Sequence, residues 1–205
     1  MNILNDFAKM ILTRYFSKMN ATIISLALLL FGGNDFINHD PVQDDKQSAL
    51  AYLNKVRQSP GSYSTEIGVD LGYVKARPEL VWDETLAKVA QAKAEDMRDR
   101  GYFAHVDPDG RGTNIKIHEA GYTLVESFVN NKSNNYFESL GAGYNSGVEG
   151  IKALILDKGT NPPGHRNHLL GIDSFWSNCT DVGIGFARGG SYRTYMVVLI
   201  AKHDF

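Results

Sequence analysis

One late segment constrains the fold of this chain more than any other. Residues 192–201 read YRTYMVVLIA, a run of β-branched and aromatic residues with a continuous apolar centre. This composition predicts a central strand covered on both faces, because a strand with one face in water alternates apolar and polar residues. Residues 181–187, DVGIGFA, alternate apolar residues with glycine and predict a second strand. The fold therefore has to place a layer of structure on each side of a sheet.

Three amphipathic segments come before these strands, and each predicts a helix. In residues 47–58 and 147–156 the apolar positions recur every three or four residues, which places them on one helix face. Residues 84–100 show the same pattern between Asp83, a good N-cap, and Gly101, which ends the helix. Helices that come first and strands that come last predict an α+β fold with layered packing, not a βαβ dinucleotide fold.

Charge and cysteine content exclude several classes of protein. The chain has 21 basic and 23 acidic residues, and its formal net charge of -2 gives no general attraction to nucleic acid or anionic lipid. We therefore expect no nucleic-acid partner. Cys179 is the only cysteine, so the chain can form no intramolecular disulfide, no cysteine-based zinc cluster and no Cys-X-X-Cys redox motif.

The N-terminal segment has the pattern of an export signal. Residues 21–31 form an uncharged, mostly apolar run of 11 residues, with basic residues before it and small polar residues after it. About 20 apolar residues are needed to cross a bilayer, so the shorter run predicts a secretory signal over residues 1–33 and a secreted or periplasmic protein. The alternative is an uncleaved N-terminal anchor, the only membrane contact we expect. Residues 34–45 are polar and turn-rich and predict a linker, which leaves 46–205 as the folded domain.

Three local strings place titratable side chains next to glycines: GYFAHVDPDGRG at 101–112, FESLGAG at 137–143 and NPPGHRNHLLG at 161–171. His105 follows the second helix and precedes a turn, and His165 follows two stiff prolines at the start of a short predicted helix. Two imidazoles held by rigid turns are candidate neutral ligands for a metal. Glu138 and Asp157 could add carboxylates or act as bases. From the spacing alone, the alternative is that both histidines are hydrogen-bonded turn or core residues.

In this order the strings resemble the CAP superfamily, which includes cysteine-rich secretory proteins, antigen 5 and plant pathogenesis-related protein 1. The similarity is greatest to its disulfide-free bacterial members and runs from about Leu50 to His203. The matching motifs are Leu80, Trp82 and Leu86 before the second helix, Ala104-His105, Ala120-Gly121-Tyr122, Glu138-Ser139-Leu140-Gly141, Gly164-His165-Arg166-Asn167-His168-Leu169 and Val182 to Gly185.

The resemblance implies a three-layer α-β-α sandwich with a central cleft that holds two histidines and two acids. His105, Glu138 and His165 match the family's cleft residues. Asp157 is the nearest match to the second acid and is one methylene shorter than the usual glutamate, and Ser139 stands where relatives have asparagine. In some relatives the histidines hold zinc or another divalent ion, so the resemblance implies a metal site formed by these two histidines and two acids.

The family's functions are varied, and three hypotheses follow. The first is an exported, non-enzymatic module whose cleft binds a divalent metal, a small apolar ligand or a cell-envelope partner. The second is a metal-assisted hydrolase in which His105 and His165 hold zinc with an open position for water, and Glu138 or Asp157 is the general base. The third is a structural cluster in which these side chains hydrogen-bond to one another and stabilise their loops.

Overall fold

Helices enclose a short sheet in the part of the chain that this computed structural model describes, residues 40–203. The predicted signal, 1–33, and the first part of the predicted linker lie outside the described residues. The elements are α1 (Pro41–Gln58), α2 (Ser64–Ile67), β1 (Val81–Trp82), α3 (Glu84–Arg100), α4 (Thr113–Glu119), β2 (Glu138–Ala142), α5 (Gly147–Leu156), α6 (Gly164–Leu170), β3 (Asp181–Arg188) and β4 (Thr194–Ala201), with 3₁₀ turns at Pro60–Tyr63, Glu126–Phe128 and Trp176–Asn178.

The sheet has the strand order β1-β3-β4-β2 within the described residues. β4 pairs antiparallel with both β2 and β3, and β1 adds a short parallel edge to β3. Every residue of β4 is buried. This confirms the prediction of a central strand covered on both faces, and β3 confirms the second predicted strand.

Glycines show which layer covers each face of the sheet. A Cβ atom at Gly185 of β3 would overlap the main chain of Ala90, so this face of the sheet lies directly against α3. A Cβ at Gly150 of α5 would overlap the sulfur of Met196. The Met196 side chain lies on the opposite face of the sheet from Gly185, because Met196 pairs with Phe186, the neighbour of Gly185. Helix α1 packs beside α5. The fold is therefore α+β with three layers, helix, sheet and helix, as expected.

Helix α3 begins and ends at the predicted signals. The Asp83 side chain accepts a hydrogen bond from the main-chain nitrogen of Leu86 at 2.8 Å. Gly101 ends the helix in the left-handed conformation, at φ 69°. Helix α5 likewise confirms the prediction for residues 147–156. In the described part of the chain no helix has both the length and the apolar character needed to cross a membrane.

The prediction of a linker over residues 34–45 is wrong for its last part, because α1 begins at Pro41 rather than at Gln47. The polar residues there are helix-forming signals. Asp40 caps the helix by accepting a hydrogen bond from Val42 N at 2.9 Å, and proline is favoured in the first turn. Asp45 is buried, where it forms an ion pair with Arg188 and accepts a hydrogen bond from Gly147 N at 3.1 Å.

We predict that Gly185→Ala destabilises the domain by about 1–3 kcal/mol, because the added methyl group forces α3 away from the sheet. In a domain of this size each kcal/mol lowers the melting temperature by about 2–4 °C, which thermal unfolding followed by circular dichroism will measure. Gly61→Ala is the matched control, since the nearest atom to its new methyl group is 3.7 Å away. Equal melting temperatures for the two variants would contradict the close approach.

Candidate functional site

His105 lies in the loop after α3, and Asp107 organises the turn that follows it. Asp107 accepts hydrogen bonds from the main-chain nitrogens of Asp109 and Arg111, both at 2.9 Å, and its carboxylate lies 2.7 Å from Lys116 Nζ. Burial alone would raise the pKa of the Asp107 carboxyl, but the hydrogen bonds from Lys116 and the main chain lower it to about 2. The turn is therefore held by a charged carboxylate.

Lys93 on α3 fixes the main chain of His105. Its ammonium group donates hydrogen bonds to the carbonyl oxygen of His105 at 3.0 Å and to the hydroxyl of Tyr102 at 3.2 Å. The side chain is only 2% exposed. Burial lowers the pKa of Lys93, and the nearby carboxylate of Glu138 opposes that effect. The loop is thus attached to the helix at the residue that carries the imidazole.

His105 forms the first of two histidine–carboxylate pairs. Its Nδ1 atom lies 2.8 Å from Oε1 of Glu138, the first residue of β2. The other carboxylate oxygen of Glu138 accepts a hydrogen bond from the hydroxyl of Thr113. The side chain of Glu138 has no exposed surface, whereas that of His105 is 46% exposed. A buried carboxylate therefore orients an imidazole that reaches solvent.

His165 forms the second pair, with Asp157. Asp157 ends α5 in the left-handed conformation, φ 48°, which aspartate tolerates better than most residues. Its carboxylate lies 2.8 Å from Nδ1 of His165 and accepts a hydrogen bond from the His165 main-chain nitrogen at 2.9 Å. Burial acts to raise the pKa of Asp157, but the contacts with His165, together with hydrogen bonds from Thr160 and the Arg166 main chain, outweigh it and lower the pKa. The short side chain thus fixes both the backbone and the ring of His165.

The two pairs meet at one cavity of about 230 Å³, which His105, Glu138 and His165 all line. Asp157 acts on this cavity through His165. Each histidine uses Nδ1 to bind a carboxylate, so Nε2 is the ring nitrogen that these pairs do not use. Among residues 40–203 no group of three or more His, Cys, Asp or Glu side chains has the geometry to hold a metal ion. The four direct ligands that the resemblance implies are therefore not assembled in the described residues, and each carboxylate instead contacts an imidazole.

His168 also lines the cavity. It is 2% exposed, and its Nδ1 atom lies 2.7 Å from the hydroxyl of Ser139. Burial lowers the pKa of His168 to about 3, against an opposing contribution from the main chain of Ile200, so the ring is neutral. Its Nε2 atom makes no hydrogen bond of normal geometry within the described chain.

Three more lining residues, Asn135, Tyr136 and Trp176, carry no motif and were not predicted. Asn135 Oδ1 is the second buried side-chain atom of residues 40–203 without a hydrogen-bond partner. A buried polar atom that lacks a partner costs about 1–3 kcal/mol, so each one calls for an explanation such as a functional role or a bound water or ion. Both of these atoms belong to residues that line the same cavity.

The family follows from a comparison with known proteins. The model of the cysteine-rich secretory protein family, CAP, matches residues 50–200. The chain belongs to the CAP family. This confirms the resemblance drawn from the ordered motifs, and the matched range contains both histidine–carboxylate pairs of this CAP domain.

Known proteins also resemble this chain over different lengths. Protein YkwD of Bacillus subtilis (strain 168) is 30% identical over 117 residues, which is 57% of this chain but only 38% of YkwD. An outer surface protein from Borrelia burgdorferi has the same fold, with a TM-score of 0.53, 17% identity and coverage of 79% of this chain and 95% of the Borrelia protein. An extracellular SCP-domain protein from Bacillus anthracis str. Ames matches with a TM-score of 0.48 and 20% identity, over 78% of this chain and 43% of that one.

We predict that Asp107→Asn destabilises the CAP domain by about 2 kcal/mol at neutral pH, because the amide loses the charged interactions that lower the folded-state pKa. A pKa lowered from 3.8 to about 2 gives stability that is present above pH 3.8 and is lost as the pH falls toward 2. The two unfolding free energies should therefore converge over that range in urea titrations. The control is Asp109→Asn in the same turn. The Asp109 side chain is exposed, so this substitution should change the unfolding free energy by no more than about 0.5 kcal/mol. A difference between the two unfolding free energies that stays constant down to a pH of about 2 would contradict the lowered pKa of Asp107.

Proposed function

We propose that this CAP domain is an exported binding module whose cavity holds a divalent metal ion, with zinc as the first candidate, through His105 and His165. The observation that supports this most is the matched pair of imidazoles, each bound through Nδ1 to a buried carboxylate and both lining one cavity. Histidine ligands in metalloproteins commonly donate their second ring nitrogen to a carboxylate, which fixes the tautomer and makes the other nitrogen a better ligand.

The donor set fits a divalent ion of intermediate softness. Imidazole nitrogen suits zinc, copper and nickel, whereas calcium and magnesium require oxygen ligands. Glu138 and Asp157 would hold His105 and His165 in place as outer partners. A bound ion would supply a positive centre with coordination positions open to an oxygen or nitrogen atom of a second molecule.

The hydrolase alternative has weaker support. Its general base was expected to be Glu138 or Asp157, but the exposed fractions of these side chains are 0% and 2%. Each carboxylate already binds an imidazole, which makes it a weaker candidate for taking a proton from a water molecule. A small apolar ligand is also disfavoured here, because the cavity is below the usual range of about 300–1,000 Å³ and most of the residues that line it carry a polar group.

Export is part of the proposal. It is supported by the basic, apolar and small-polar order of the N-terminal segment. The similarity to a protein named as an outer surface protein of Borrelia burgdorferi agrees with a location at or beyond the cell envelope. We propose a cell-envelope component as the partner of the module.

We predict one zinc ion per chain in isothermal titration of EDTA-treated protein. His105→Ala and His165→Ala should each abolish this binding, since each removes one of two protein ligands. Glu138→Gln and Asp157→Asn should weaken it by about 10–100-fold, because they remove the groups that orient the rings. Metal analysis of the protein as purified provides an independent measurement.

His118→Ala is the matched control, because His118 is an exposed histidine on α4 that does not line the cavity. It should bind zinc as the wild type does. If the wild type binds no metal and the His105 and His165 variants only melt earlier, the cluster is structural and the proposal fails. Equal loss of binding in all three histidine variants would also contradict it, since the metal would then not be held in the cavity.

A further inference from the structure

An aromatic surface adjoins the two histidines. Tyr136 is 48% exposed and is one of the few large hydrophobic side chains of residues 40–203 that reach solvent. Trp176, which is partly buried, lines the same cavity. Its indole nitrogen donates a hydrogen bond to the carbonyl oxygen of Tyr136 at 3.0 Å. Since that bond uses the only polar group of the indole, the ring itself presents apolar surface.

The aromatic surface is held rigidly. The Tyr136 ring packs edge-on against Phe128, with centroids 5.5 Å apart, and Trp176 packs edge-on against Phe175 at 5.8 Å. Phe128 and Phe175 also contact each other at 5.8 Å. Rigid aromatic side chains with two rotatable bonds provide contact area at little cost in conformational entropy. An exposed ring supported in this way is prepared for a ligand with a flat apolar face.

Unmet hydrogen-bonding capacity lies beside the aromatic surface. Asn135 Oδ1 and His168 Nε2 are the buried side-chain atoms of the described chain that lack a partner, and both residues line the cavity. Thr160, which is exposed, adds a hydroxyl group, and the Ser139 hydroxyl is already bonded to His168. A ligand that carries several neutral donors and acceptors could satisfy these groups, whereas a hydrocarbon could not.

Charge and size narrow the choice of ligand. The cavity lining includes neither lysine nor arginine, so the metal-free protein offers no lysine or arginine cation there to a phosphate, sulfate or carboxylate. A volume of about 230 Å³ suits a single ring rather than a drug-sized molecule. A neutral pyranose ring meets all the requirements, because it has an apolar C–H face and a rim of hydroxyl groups.

We infer that the cavity binds one neutral pyranose ring of a glycan or free sugar, with its C–H face on Tyr136 and its hydroxyl or acetamido groups at Asn135 and the other polar residues of the lining. A sugar is thus the candidate for the second molecule that would bind beside the metal in the proposed function. The inference rests on that function only because both use the same cavity. The sugar contacts lie on side chains other than His105 and His165, so sugar binding and metal binding can be measured separately.

Tryptophan fluorescence tests the inference directly. The chain has two tryptophans, and Trp82→Phe leaves Trp176 as the single reporter, because Trp82 lies on the edge strand at the other side of the sheet. In this background we expect the methyl glycosides of glucose, galactose and N-acetylglucosamine, or at least one of them, to give a saturable change in emission. Tyr136→Ala should weaken binding by about tenfold or more, and Tyr136→Phe should retain it. Tyr73→Ala, which removes an exposed tyrosine elsewhere, is the matched control.

The titrations are run on EDTA-treated and on zinc-loaded protein. Saturable binding that Tyr136→Ala abolishes in either state supports the inference, even where zinc titration shows no metal site and the proposed function fails. Zinc binding without saturable binding of any glycoside, or binding that Tyr73→Ala and Tyr136→Ala weaken equally, overturns it. Preference for an aromatic amino-acid amide over every glycoside overturns it as well. An unchanged melting temperature of Tyr136→Ala establishes that the variant is folded.

Discussion

The buried carboxylate of Glu138 is the interaction on which the rest of the site depends. A carboxylate with no exposed surface is stable only where other groups replace the hydrogen bonds and the charge compensation of water. Thr113 on α4 and His105 in the loop provide hydrogen bonds, and Lys93 on α3 provides a nearby positive charge. One side chain at the start of β2 thus contacts a helix and a loop directly and lies near the charge of a second helix. This arrangement holds the imidazole of His105, which is the only one of these groups that reaches far into solvent.

Lys93 can place its positive charge near Glu138 only because α3 lies very close to the sheet. Gly183 and Gly185 of β3 face this helix, and a side chain on either would overlap its main chain, at Ala90 in the second case. The alternating glycines of this strand are therefore a packing requirement rather than a ligand-binding motif. A helix displaced by the width of a methyl group would carry Lys93 away from the carbonyl of His105. Packing of the core and orientation of the site are consequently one constraint, although the sequence presents them as separate motifs.

Elements with local signals could be predicted from the sequence, and elements formed by distant partners could not. Helix α3 carries its own cap and stop in Asp83 and Gly101, and β4 carries its apolar run. Strand β2, with the sequence ESLGA, has little β-branched character and exists because it pairs with β4. The motifs indicated which histidines and acids share a cleft, but spacing does not show which ring nitrogen a carboxylate occupies. That detail separates a four-ligand site from two oriented imidazoles. The residues of the aromatic surface, Tyr136 and Trp176, and their neighbour Asn135 lie in segments without a motif, so only the folded chain brings them to the cavity.

The two histidine–carboxylate pairs differ in how they are built, and the difference has a physical consequence. Asp157 and His165 are joined by a short loop and meet at the left-handed end of α5, a position that suits aspartate and explains why the shorter acid stands there. His105 and Glu138 come together only when α3, α4 and the sheet have packed. One half of the cavity is thus local and the other half requires the complete fold. A molecule that needs both halves binds the folded chain and not the unfolded one, so it stabilises the domain in proportion to the logarithm of its concentration, by about 2.7 kcal/mol at a hundred times its dissociation constant. Ligands of this cavity should therefore be detectable through stability even where no reaction follows binding.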